Sequence, residues 1–236
     1  MNLPRRCPPN GARRHTIGER VRAWWLAKAL GTVLGMAIFF LIYFWLLRHP
    51  IFPVTVMPLT AVDRWIGFFP EALPLYLSLW IYVSLGPALL IERRELVSYG
   101  IAALALSAIG LGVFLVLPTA VPQLDVDWSQ HAAFGFLRSI DASGNACPSL
   151  HVAFALFTAI GLERLLRQME AKRVVRAFNW LWCAGISYST IAVHQHVAID
   201  VVAGAALGAS VALLHVRLLR AFPGRAPVYP RAATSN

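Results

Sequence analysis

The sequence predicts an all-α polytopic membrane protein in which six transmembrane helices form a single bundle. Three observations predict it. Of the 236 residues 58 % are hydrophobic and only 14 % are charged, whereas a soluble domain is nearer half apolar and a quarter charged. Mean hydropathy is +0.62. The apolar residues also gather into six segments, each long enough to cross the hydrocarbon core of a bilayer.

Those segments run from Val21 to Leu47, Pro74 to Ile91, Tyr99 to Pro118, Ser149 to Leu166, Val174 to Val193 and Ala198 to Leu219. They divide the chain into a basic cytoplasmic tail (1–20), one membrane domain (21–220) and a second cytoplasmic tail (221–236). Pro8, Pro9 and Gly11 argue against regular structure in the first tail, and three prolines without an apolar period predict disorder in the second. The first apolar segment is longer than a signal-peptide core and no small-residue cleavage site follows it, so it reads as a retained signal anchor. Lys28, one or two turns inside it, can snorkel to the inner surface.

A net charge of +10 raises the question of nucleic acid, and the placement of the charges answers it. With six crossings and the N-terminus inside, eighteen of the Lys and Arg residues fall on inner segments. Only Arg48, Arg64 and Arg138 fall on outer ones. That asymmetry is the positive-inside pattern: it puts both termini in the cytoplasm, predicts an inner-membrane location, and makes the basic character a matter of topology, with no nucleic-acid partner. Cys7, Cys147 and Cys183 have no metal-ligand spacing and suggest no disulfide, and the carboxylates do not cluster, so neither a metal nor a cofactor is expected.

Between the first two spans, Leu59, Val62, Trp65, Ile66 and Phe69 recur at helical spacing, with Thr60, Asp63, Arg64 and Gly67 largely on the other side. This predicts a short helix lying in the membrane interface, either a plain anchor or the border of a lipid entry route. Glu92, Arg93, Arg94 and Glu95 read as a solvated inner turn. The outer stretch from Thr119 to Cys147 is long and polar, as expected of a lid or binding surface. It feeds directly into Pro148-Ser149-Leu150-His151, which opens the fourth span. Proline suits a first helical turn, and that turn offers free N–H groups, the Ser149 hydroxyl and the positive end of the helix dipole. It can cradle a phosphate or simply cap the helix. The inner stretch from Glu163 to Phe178 is strongly basic and reads as an orientation signal. Ala203, Gly204, Ala205, Ala206, Gly208 and Ala209 allow close packing of the sixth span.

The fifth and sixth spans meet at Ser189-Thr190-Ile191-Ala192-Val193-His194-Gln195-His196-Val197-Ala198-Ile199-Asp200. If the segment is helical, His196 and Asp200 share a face and the carboxylate can accept a hydrogen bond from the imidazole, while His194 lies on a different face. An ionisable residue at a membrane edge is functional by default. The crossing count puts this segment and Pro148–His151 at the same outer depth, so one site can contain both.

These two motifs resemble those of the type 2 phosphatidic acid phosphatase superfamily: Pro-Ser-Gly-His, then Ser-Arg, five residues, His, three residues and Asp. Here they read Pro148-Ser149-Leu150-His151, then Ser189-Thr190, five residues, His196, three residues and Asp200. Leu150 replaces glycine and Thr190 replaces arginine. The usual first motif, Lys with Arg-Pro seven residues later, is absent, and Leu117-Pro118-Thr119-Ala120-Val121-Pro122-Gln123 stands near its place. Ser-Leu-His and Gln195-His196 look like the inositolphosphotransferase branch of that superfamily.

The resemblance implies a lipid phosphate phosphatase or phosphotransferase with no cofactor. His196 would attack phosphorus and form a phosphohistidine, Asp200 would hold the other imidazole nitrogen, and His151 would protonate the leaving alkoxide. Ser149, the backbone at Leu150, Ser189 and Thr190 would bind phosphate oxygens. Of the outer cations, Arg138 is the candidate to replace the missing basic side chains. The substrate would be a membrane lipid phosphate or isoprenyl diphosphate. Water is the favoured acceptor, because a phosphohistidine enzyme must exclude it in order to transfer to an alcohol. Two readings of another class are a haem held between His151 and His196 and a non-catalytic lipid-binding protein on the same scaffold.

Overall fold

The computed structural model describes residues 15–123 and 145–221, and Arg138 lies outside them. The described chain is mostly helical. In order it forms α1 (Ile17–Arg22), α2 (Trp25–Arg48), β1 (Thr55–Val56), α3 (Ala61–Ile66), a 3₁₀ turn (Pro70–Ala72), α4 (Leu73–Leu77), α5 (Leu79–Ala88), α6 (Arg93–Val116), β2 (Thr119–Ala120), α7 (Leu150–Gln168), α8 (Arg173–Ala192) and α9 (Ala198–Ala221). The helices α2, α6 and α9 are each long and apolar enough to cross a membrane.

Helix α7 occupies the centre, packed by α9, α8, α5 and α6. Its Ala153, Ala155, Thr158 and Ala159 are fully buried, and side chains this small let the neighbouring backbones approach. The closest approach is to α9. A Cβ added to Gly204 would collide with the carbonyl oxygen of Ser149, and one added to Gly208 with that of Ala153. Of the small residues of the last helix, Gly204 and Gly208 thus serve close packing. A second interlock joins α6 to α7, where the Leu150 side chain fills the space that a side chain on Gly110 would take.

The first apolar segment is not one continuous helix from Val21. Thr16 and Glu19 form a reciprocal capping box that starts α1, and the chain then breaks at Trp24, whose φ of 57° lies in the left-handed region. The break is held by the end of α5. Arg20 Nη1 donates to Leu89 O at 3.1 Å, Trp24 Nε1 to Ile91 O at 3.0 Å, and Lys28 Nζ to Ala88 O at 2.9 Å and to Arg20 O at 2.7 Å. Lys28 is therefore buried and does not snorkel; it satisfies carbonyls that a helix C-terminus leaves unpaired.

α4 and α5 follow one another across Ser78, with helical bonds continuing from Ser78 N to Pro74 O and from Tyr82 N to Ser78 O. Arg93 to Glu95 form the first turn of α6, where Arg93 and Arg94 are exposed and Glu95 pairs with Arg164 of α7.

The short strands β1 and β2 pair in parallel, Thr55 with Thr119 and Val56 with Ala120. With α3 and residues 145–147 and 193–197 they cap the end of the bundle where α7 and α9 begin. Met57, Val121, Ala146 and Val197 form the apolar centre of that cap.

Replacement of Gly208 by alanine pushes a methyl group into the Ala153 carbonyl, and a backbone atom cannot swing away. We expect Gly208→Ala to destabilise the protein by about 1–3 kcal/mol, as overpacking does. Thermal unfolding in detergent, compared with Gly112→Ala, where a Cβ meets nothing within 4 Å, reads this as a lower melting temperature for the first variant only.

Candidate active site

The two sequence motifs meet through the backbone. Ser149 N donates to Asp200 O at 3.0 Å, so the N-cap of α7 is bonded to the first turn of α9. The Ser149 side chain accepts from Val152 N at 3.3 Å and is fully buried, as a capping serine is. His151, one residue inside α7, and His196, in the turn before α9, stand close enough to interact electrostatically.

The turn between α8 and α9 fixes His196. Thr190 O accepts from both Gln195 N and His196 N at 3.1 Å, and His194 adopts a φ of 53°. His196 Nδ1 lies 3.0 Å from Ala146 O. A carbonyl can only accept, so Nδ1 carries the proton in the neutral ring and Nε2 keeps its lone pair. Among the described residues Nε2 has no hydrogen-bond partner, and it is the nitrogen available to a substrate.

Asp200 stands beside this ring in a role that differs from the simplest expectation. Its Oδ2 lies 3.7 Å from His196 Nδ1, beyond hydrogen-bond reach. Oδ2 instead accepts from Val197 N at 2.9 Å. The imidazole proton is held by the Ala146 carbonyl, and the buried carboxylate stands beside the ring without a hydrogen bond to it. Asp200 Oδ1 is buried without a hydrogen-bond partner among the described residues, and the Cys147 thiol lies against the same carboxylate.

His151 sits in an aromatic slot. Its ring stacks on Tyr76 with centroids 4.0 Å apart and meets Trp80 edge-on at 6.0 Å. His151 Nε2 lies 2.9 Å from Tyr76 O, so Nε2 bears the proton in the neutral ring and Nδ1 remains the free nitrogen.

The other residues expected to hold phosphate are placed as follows. Ser189 Oγ donates to Ile186 O at 2.7 Å and Thr190 Oγ1 to Ser187 O at 2.8 Å, both hydroxyls being fully buried. Their protons point into their own helix. The Leu150 side chain belongs to the apolar core, leaving only its backbone to face a ligand. Of the two other basic side chains considered beside Arg138, Arg64 Nη1 donates to Leu59 O at 3.1 Å and Arg48 lies over the Phe44 ring at 5.9 Å.

The family model of the PAP2 superfamily matches residues 94–222, more than half of the chain and all of both motifs. The chain belongs to the PAP2 superfamily. It matches no curated protein and no solved structure.

Several groups that shape this PAP2 site come from before the matched region. Tyr76 and Trp80 form the slot for His151. Asp63, which the apolar period places on the polar face of an interfacial helix, is 3 % exposed and joins two helix starts. Its Oδ2 accepts from Thr60 N and Thr60 Oγ1, both at 2.7 Å, and its Oδ1 accepts from Ala198 N at 2.7 Å. The local half of this arrangement is a Thr-x-x-Asp capping pattern that can be read in the sequence. The partner 135 residues away leaves no local signal. Asp63 also acts on His194: burial lowers the pKa of that imidazole and Asp63 opposes the shift. Thr119 braces the other flank, its carbonyl accepting from Ala146 N at 3.1 Å and its hydroxyl from Cys147 N at 2.8 Å.

Burial, then the nearby Asp200 charge, pushes the Cys147 thiol up to about 11 from 9.0. The shift disfavours the thiolate, so at pH 8 the folded protein should hold about 10²-fold less of the reactive form than an unperturbed thiol does. We expect iodoacetamide to modify Cys147 correspondingly slowly at pH 8 and faster as pH approaches 11. Residue-resolved mass spectrometry measures this, and Asp200→Asn should accelerate the reaction by removing the charge.

Proposed function

We propose that this PAP2 protein hydrolyses a lipid phosphate monoester or an isoprenyl diphosphate through a phosphohistidine, without a metal, at the outer face of a membrane. One observation carries the reading. The backbone bond from Ser149 to Asp200 brings the two motifs into one site, with an imidazole nitrogen, His196 Nε2, unprotonated and unengaged.

In this reading Nε2 attacks phosphorus as the bond to the lipid oxygen breaks. Nδ1–H stays on the Ala146 carbonyl, and the Asp200 carboxylate offsets the positive charge that develops on the ring. His151 Nδ1 takes up the proton that the monoanionic phosphate brings with it and passes it to the leaving oxygen, while Nε2–H remains on Tyr76 O. Water then attacks the phosphohistidine and gives its proton back to His151. The Ser149 hydroxyl and the first-turn amides of α7 face the phosphate oxygens. Ser189 and Thr190 support the turn through Thr190 O, and their hydroxyls join the phosphate shell on rotating away from α8. Arg138 supplies the remaining cation.

The transmembrane arrangement belongs to the same proposal: six crossings in an inner membrane, both termini cytoplasmic, and the His151–His196 end facing out. The three apolar helices and the distribution of Lys and Arg support it. An alcohol in place of water would give a phosphotransferase. Leu150 and Gln195-His196, shared in pattern with the inositolphosphotransferase branch, favour that second reading.

The test is phosphate release from phosphatidic acid, phosphatidylglycerol phosphate and isoprenyl diphosphate by purified protein in detergent with EDTA. His196→Ala should abolish release, and His151→Ala should lower it by about 10²–10⁴-fold. Asp200→Asn should reduce it severely, with all three variants still folded by circular dichroism. Release by His196→Ala near the parental rate would overturn the mechanism.

A further inference from the structure

At the end of the bundle away from His151 and His196, α7 and α8 border an open cavity of about 290 Å³ lined by Glu163, Arg167, Arg173, Arg176, Ala177 and Trp180. Three guanidinium groups surround one carboxylate, so the lining carries a net positive charge. Glu163 is 8 % exposed, and its two oxygens differ. Oε1 accepts from Arg167 Nε at 2.6 Å and from Arg176 Nε and Nη2 at 2.9 and 2.5 Å. Oε2 is buried and has no hydrogen-bond partner among the described residues.

Further features of this cavity are unmatched. Arg173 makes no hydrogen bond or ion pair with any described residue. It opens α8, whose N-cap, Lys172, provides no side-chain cap, so the positive end of a 20-residue helix dipole also points here. Trp180, 41 % exposed, stands at the rim beside the exposed Val174, Phe178 and Leu181. A cavity of this size has room for a small polar headgroup.

We propose that this cavity binds the headgroup of a monoanionic, hydroxylated phospholipid such as phosphatidylglycerol. The phosphate lies against Arg173, the outward side of Arg167 and the first turn of α8. A headgroup hydroxyl donates to Glu163 Oε2, the acceptor in this lining that the described residues leave open. The acyl chains run along the apolar face past Trp180. A choline headgroup has no proton to donate, and a zwitterionic headgroup leaves the net positive charge of the cavity uncompensated. The oriented charge, the buried acceptor and the apolar rim select among lipids as basic pockets between membrane helices do, and this site is independent of turnover at the other end.

The full-length protein in uncharged detergent tests this through its melting temperature as lipid is added. Phosphatidylglycerol should raise the melting temperature in a saturable way, and phosphatidylcholine should not. Phosphatidylmethanol, equal in charge but without a hydroxyl, should bind several-fold more weakly. Arg173→Gln removes an exposed side chain with no partner in the fold and should weaken phosphatidylglycerol about tenfold. His196→Ala should leave the response intact, which separates it from the active site. No response to phosphatidylglycerol, or an equal response in Arg173→Gln, would overturn the site. An equal shift with inorganic phosphate alone would make the ligand a free anion and overturn the lipid assignment, and parity of phosphatidylmethanol with phosphatidylglycerol would overturn the role of Glu163.

Discussion

The contact between α7 and α9 is the constraint on which the site depends. Lipid tails are as apolar as leucine, so helices in a bilayer gain little from burying apolar surface and associate through close packing and hydrogen bonds instead. Gly204 and Gly208 let the backbone of α9 lie against the carbonyls of Ser149 and Ala153. Only at that separation does the Ser149 amide reach the Asp200 carbonyl. The glycines two and three turns below the turn thereby set the distance between the two imidazoles.

Around that contact the chain satisfies its backbone groups with unusual economy. Thr190 O serves two amides of the turn, Asp200 Oδ2 serves Val197 N, and Asp63 Oδ1 serves Ala198 N. Ala146 O is left to take the His196 proton. The outcome is a ring with a fixed tautomer, oriented by main-chain geometry, beside a carboxylate that lies out of hydrogen-bond reach. At the opposite end, charged side chains perform comparable work: Lys28 and Arg20 close the C-terminus of α5, and Glu95 ties α6 to α7.

Much of this was legible in the sequence because it is local or periodic. The apolar runs locate the long helices, Pro148-Ser149 marks the start of α7, and the spacing from Ser189 to Asp200 marks the turn. The misreadings share a cause, namely partners distant in sequence. Lys28 looked like a snorkelling side chain because the carbonyls it caps belong to α5. Glu95 looked solvated because Arg164 lies 69 residues away. Asp63 looked like the polar face of an interfacial helix because Ala198 is remote. Leu150, a departure from the usual glycine, follows from Gly110 in another helix. The aromatic slot of His151 is made by Tyr76 and Trp80, which carry no motif at all.

The clamp made by Asp63 has a consequence for assembly. A ribosome completes Asp63 long before it reaches Ala198, so for most of synthesis this carboxylate has only its own short helix to cap. It acquires its second donor when the last helix docks. Without that helix Asp63 Oδ1 lacks the Ala198 amide and the Ser149 amide lacks its acceptor, so the reactive turn closes only once the last helix has docked.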